Sequence, residues 1–210
     1  MSANLIEATS GELADAYGAL RARCLELGRS LNDEQAATMS PCCPEWSVKD
    51  LYAHMAGVAT DILDGNIEEA ATEAWADAQV TRRSGDSLAE ICDEWERAGA
   101  EVEEIVRKIG DQIMPQFYID AWSHEWDIRQ ALGAVAAAEP DLRLPNATRG
   151  FLTDRLEADV SAVTTFELLR ITMGRRSANQ IGEVVLGVEP ADVVFWTINE
   201  HDIIDPVLIV

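Results

Sequence analysis

Ser47-Val48-Lys49-Asp50-Leu51-Tyr52-Ala53-His54-Met55-Ala56-Gly57-Val58-Ala59-Thr60-Asp61-Ile62 sets the helical reading of the whole chain. Ser47 and Asp50 stand three apart, a spacing at which each side chain satisfies an orphan backbone N–H of a helix start. Val48, Leu51, Tyr52, Met55, Val58, Ala59 and Ile62 then recur at three or four, forming one apolar face with His54 near its edge. Gly65 is the expected stop, because a left-handed cap costs glycine nothing.

The same signals extend in both directions. Upstream, Met39 to Trp46 holds Pro41 and Pro44 and cannot continue a helix. Before it, Thr9 with Glu12 opens a segment whose Leu13, Tyr17, Leu20, Cys24, Leu27 and Leu31 keep helical spacing to about Asn32. Downstream, residues 66–86 are polar and alanine-rich without an apolar stripe, and predict a helical extension followed by an exposed loop around Arg82-Arg83-Ser84-Gly85. Ser87 with Glu90 opens a third long helix (Leu88, Ile91, Trp95, Ala98, Val102, Ile105, Ile109) that Gly110 stops. Pro115 suits the first turn of a fourth, with Ile119, Trp122, Trp126, Ile128 and Leu132 before Gly133.

Beyond the turn from Pro140 to Pro145, residues 146–173 predict a further amphipathic helix carrying Phe151, Leu152, Leu156, Val160, Val163, Phe166 and Leu169. The runs Val184-Val185-Leu186, Val193-Val194-Phe195-Trp196 and Val207-Leu208-Ile209-Val210 predict short strands or extended segments. The expected fold class is mainly α: a four-helix bundle with an additional C-terminal helix and a short extended or β tail. A bundle core over 1–140 and a C-terminal part over 141–210 are expected to form one compact unit.

The chain has 38 acidic and 16 basic residues in 210, a net charge of -22. Such a field argues against nucleic acid and anionic membrane as partners. The first six residues have no basic segment followed by an apolar run, and no segment reaches bilayer-spanning length, so a soluble cytoplasmic protein is expected. Cys24, Cys42, Cys43 and Cys92 include no Cys-x-x-Cys spacing, and are expected to be reduced packing residues.

Only three histidines occur. His124 follows Asp120 by four, so on a helix both side chains share a face, their Cβ atoms about 5–6 Å apart. With His54 on a facing helix, the two imidazoles and one carboxylate form a metal-ligand set that leaves a coordination position open. Spacing alone favours the ordinary alternative, a helix-surface Asp–His pair beside a half-buried histidine.

Three segments bear on that choice. Pro41-Cys42-Cys43-Pro44-Glu45-Trp46-Ser47-Val48, with Ala53-His54 in the following helix, resembles a Cys-Pro-x-Trp-Ser/Thr-Val opening followed by Ala-His. Asp120-Ala121-Trp122-Ser123-His124-Glu125-Trp126-Asp127 is similar to a carboxylate-x-x-x-His followed by Trp-Asp. Leu168-Leu169-Arg170 with Gly174-Arg175-Arg176-Ser177 is similar to a segment common in actinobacterial members of the same group. The group is the mycothiol-dependent, maleylpyruvate isomerase-like branch of the DinB-like metalloenzyme superfamily.

The resemblance implies a DinB-like bundle with a divalent metal near one end, held by His54, Asp120 and His124. The metal that the resemblance implies is zinc, and the same ligands also suit nickel or iron. The usual carboxylate is Glu, so Asp120 is one methylene short. Glu125 and Asp127 are candidates to orient an imidazole. Arg175 and Arg176 either bind an anionic substrate or the carboxylate of the thiol, or cap the preceding helix. Trp46 is expected to staple the entry of the second helix rather than touch ligand.

The implied chemistry is thiol chemistry: the metal holds mycothiol as its thiolate, which adds to a conjugated double bond, permits rotation and leaves, or stops at the adduct as an S-transferase. A small thiol and an electrophile are the implied partners, and the bundle is compatible with a homodimer. A non-catalytic metal-binding or regulatory bundle, and a hydrolase using metal-bound water, are the alternative readings.

Overall fold

The structure, a computed structural model, describes residues 8–109, 116–134, 143–153, 156, 159–185, 189–194 and 202–203. The chain divides into two compact units, one over 9–132 and one comprising 1–8 with 133–210. The boundary expected at 140/141 lies outside the described residues.

Among the described residues, the first unit has four long helices, α1 (Ser10–Ser30), α3 (Val48–Asp64), α5 (Leu88–Ile109) and α6 (Gln116–Ala131), and two shorter ones, α2 (Asp33–Ala36) and α4 (Glu73–Arg82). The expected start signals act as read. Thr9 with Glu12 and Ser47 with Asp50 form reciprocal capping boxes, and Ser87 with Glu90 exchanges the same pair of bonds. Gly65 closes α3 at φ 71°, left-handed as expected.

Helices α1 and α3 each lie along α5, and α6 closes the ring against α3 and α1. The apolar faces meet in a core that includes Leu13, Leu20, Leu51, Met55, Ile91, Trp95, Trp122 and Ile128. Two hydrogen bonds cross it: Trp95 Nε1 donates to Tyr17 Oη at 2.9 Å, and Tyr52 Oη donates to the Cys24 carbonyl at 2.6 Å. Gly28 permits that second approach, since a Cβ there would lie 2.9 Å from the Tyr52 ring.

Three expectations are corrected. Within 66–86, expected as an extension and a loop, Thr72 caps a separate helix, α4, that packs on α3. The single helix expected over 146–173 is two, α7 (Arg143–Thr153) and α8 (Thr165–Thr172), because Thr164 accepts from the Glu167 N–H and starts a new helix. Leu156, Val160 and Val163 are buried between them without being helical, which kept the apolar spacing helix-like. Val184, expected in an extended run, ends α9 (Ala178–Val184), whose start is fixed by a Ser177–Gln180 capping box. Leu186, Phe195, Trp196 and 207–210 lie outside the described residues, as do Gly110 and Pro115, and so do the side chains of Ile109, Phe151 and Leu152.

Candidate metal centre

The ring order of the bundle puts α3 beside α6, and the facing flanks carry His54, Asp120 and His124. His54 Nε2 lies 3.1 Å from Asp120 Oδ2, and His124 Nε2 lies 3.5 Å from Asp120 Oδ1. One ligand atom from each of the three lies within 4.8 Å of the others. Both imidazoles are buried, at 4 % and 3 % exposure. Asp120 is long enough to present one oxygen to each histidine, so the missing methylene does not separate the set.

The other ring nitrogens are already committed. His54 Nδ1 is 2.7 Å from Gln79 Oε1, and His124 Nδ1 is 3.1 Å from Asp127 Oδ2. A carboxylate and an amide oxygen only accept, so both Nδ1 atoms carry hydrogen. In neutral rings, two Nε2 lone pairs would then face the Asp120 carboxylate, an arrangement that repels unless cations stand among them. Two protons or one divalent metal satisfy it. A metal with bonds of about 2.0–2.1 Å places tetrahedral ligands about 3.4 Å apart, close to the two Nε2-to-carboxylate separations here.

The charges reinforce one another. Burial alone would raise the Asp120 carboxyl, but the neighbouring His54 and His124 charges and hydrogen bonds hold it well below the ordinary carboxylate range. Burial alone would also make His124 harder to protonate. The charge of Asp120 and bonds with Asp120, Asp127 and Cys43 override this and raise its proton affinity well above the usual imidazole value.

Two indoles flank the site. Trp46 lies with its ring centroid 5.1 Å from that of His54 and 6.1 Å from that of His124. It therefore walls both histidines, where the sequence reading expected only a staple. The 39–47 turn carries it there, closed by a Met39–Ser47 bridge and the Ser40 N–H donating to the Trp46 carbonyl at 2.9 Å. Trp75 of α4 meets His54 edge-on at 6.5 Å and donates through Nε1 to the Asn66 carbonyl.

Of the candidates to orient an imidazole, Asp127 contacts His124 and Glu125 does not. Glu125 points to the opposite flank of α6, where it accepts from Arg23 of α1 and from Arg129 one turn along. A step of one residue rotates a helical side chain by about 100°, which separates Glu125 from its neighbour His124. Cys43, read as a packing residue, instead lies with Sγ 3.7 Å from Asp127 Oδ2 and forms with His124 and Asp127 a second close group of ligand-type atoms. Its place in the proline turn just ahead of the His54 helix was the available signal. For Gln79 there was none.

Arg175 and Arg176 belong to the second unit. Arg176 makes a bidentate pair with Glu167, at 2.7 and 2.9 Å, and Arg175 donates to the Met173 carbonyl at the carboxyl end of α8.

A family model described as the mycothiol maleylpyruvate isomerase N-terminal domain matches residues 17–129, which span all of these site residues of the first unit. Searches of curated proteins and of solved structures gave no match.

Proposed function

Because the chain belongs to the mycothiol maleylpyruvate isomerase N-terminal domain family, we propose that it is a divalent-metal-dependent enzyme. It activates a small thiol, mycothiol, for isomerase or S-transferase chemistry on a small electrophile. The observation that carries this reading is the convergence of two Nε2 atoms on one carboxylate while both Nδ1 atoms are engaged elsewhere. His54, Asp120 and His124 hold the metal, zinc in preference to nickel or iron. Asp127 orients His124.

Bound there, the metal supplies the positive charge that keeps a thiol ionised near neutral pH. Three protein ligands leave a position for that thiol. Trp46 and Trp75 give the His54 side of the site apolar walls, which exclude water from one flank and offer flat surfaces to a conjugated substrate. The cytoplasm, where small thiols are kept reduced, is the compartment that suits this chemistry.

Protein purified without a histidine tag is expected to carry about one metal per chain, and a His54→Ala/His124→Ala variant none. Equal trace amounts in both would remove the metal from the reading. With metal present, turnover of activated alkenes only when mycothiol is added supports thiol chemistry. Turnover without thiol makes the protein a hydrolase, and no turnover across a broad panel makes it a binding module.

A further inference from the structure

We propose that Gln79 is a positioning residue that locks the His54 ring in the Nδ1–H form, so that Nε2 is the nitrogen presented to the metal. This rests on the metal reading above and adds a residue outside the ligand set.

Gln79 is completely buried, the one buried side chain of α4. A buried primary amide is costly unless both its ends are paired, and both are. Its Oε1 is 2.7 Å from His54 Nδ1, and its Nε2 donates to Asp61 Oδ2 at 2.8 Å. The amide has no freedom to turn round. Asp61, itself buried, is gripped by Arg82 Nη2 at 2.8 Å to each oxygen and by Asn66 Nδ2 at 3.1 Å, and its carboxylate offers only lone pairs. The amide NH2 must therefore face Asp61, the amide oxygen must face His54, and the hydrogen on that side must come from Nδ1.

The chain Arg82–Asp61–Gln79–His54 thus runs from a charge anchored at the surface to a neutral contact on the ring. His124, by contrast, is backed by the Asp127 carboxylate. The two ligands are held by different chemistry.

Space for Gln79 is made by Gly57, one turn beyond His54 on α3. A Cβ at position 57 would stand 2.5 Å from Gln79 Cβ and 2.6 Å from its Cγ, closer than real side chains approach. Gly57 is the notch through which the amide reaches the imidazole. Arg83 Nη1 donates to the Gln79 carbonyl at 2.9 Å and steadies α4 at that point.

The test uses the full chain with 15N-labelled histidine. In wild type, long-range 1H–15N spectra should show His54 protonated at Nδ1 both without metal and with zinc, and zinc attached through Nε2. Gln79→Leu keeps roughly the volume and removes the amide. It should lose the protected Nδ1 hydrogen and weaken zinc binding by about tenfold to a hundredfold, the usual effect of removing a ligand-orienting partner. Gly57→Ala leaves Gln79 in the chain but displaces it, and should move both readouts the same way. Circular dichroism follows the fold in each variant.

His54 binding zinc through Nδ1 in wild type overturns the proposal, whatever the variants do. So does a folded Gln79→Leu with wild-type spectrum and zinc affinity. If wild type binds no zinc, the metal reading fails, while the His54 hydrogen in the metal-free spectra still decides the role of Gln79.

Discussion

Between His54 and His124, Asp120 is ionised for an electrostatic reason, and the direction of each shift fixes how the site responds to pH. The carboxyl is depressed, so its contribution to the folded state is present above the ordinary carboxylate value and is lost only as pH falls through the lowered one. His124 is raised, so the contribution of its imidazolium is complete below about 6.5 and is lost as pH rises through the raised value. Zinc on Nε2 must displace that proton. Zinc binding should therefore tighten between about pH 6 and about pH 8, with proton release at both. Calorimetry in two buffers of different ionisation enthalpy measures the release. A pH-independent Kd with no released proton places the metal elsewhere than on His124 Nε2.

Helix α6 carries two polar devices on opposite flanks, and they are predicted to be independent. One is Asp120, His124 and Asp127, and the other is Glu125, which joins α6 to Arg23 of α1. Glu125→Ala strands Arg129 and removes that link. The side chain of Arg23 is 37 % exposed and turns to water, so the cost falls to about 2 kcal/mol, below that of a fully buried pair. The denaturation midpoint should drop while the zinc Kd stays unchanged; a parallel loss of zinc affinity would tie Glu125 to the site.

Elements like these also show what could be read from sequence. Thr9, Ser47 and Ser87 announced α1, α3 and α5, because capping chemistry is local and needs only residues three apart. His54, Asp120 and His124 were legible as a trio because two matched segments surround them. Helix α4 was not, because the side chain it buries is the polar Gln79, whose partners are polar as well, and no apolar stripe marks it. The break before α8 was hidden for the opposite reason, since non-helical Leu156, Val160 and Val163 are buried and continue a helical spacing.

Over the whole molecule, a net charge of -22 sets two opposed salt effects. Surface pairs such as Arg29 with Asp93 and Glu96 weaken as salt rises, while repulsion among the excess carboxylates is relieved. With 38 acidic against 16 basic residues, relief should win. The melting temperature of the metal-free protein should rise as sodium chloride goes from about 0.01 M to about 1 M, where the Debye length falls from about 30 Å to about 3 Å.

That same field gathers any divalent cation, so stabilisation by metal is informative only if it depends on which metal. Magnesium prefers oxygen ligands and keeps its water, whereas two imidazoles and a carboxylate suit zinc. At a free concentration a hundred times its Kd, zinc should stabilise the folded protein by about 2.7 kcal/mol. For a chain of this size, that raises the melting temperature by about 5–11 °C. Magnesium at the same concentration should give no more than sodium chloride of equal ionic strength. In the His54→Ala/His124→Ala variant the zinc increment should vanish while the sodium chloride response remains. Equal shifts from zinc and magnesium would assign the effect to the acidic surface and leave His54, Asp120 and His124 as a protonated cluster.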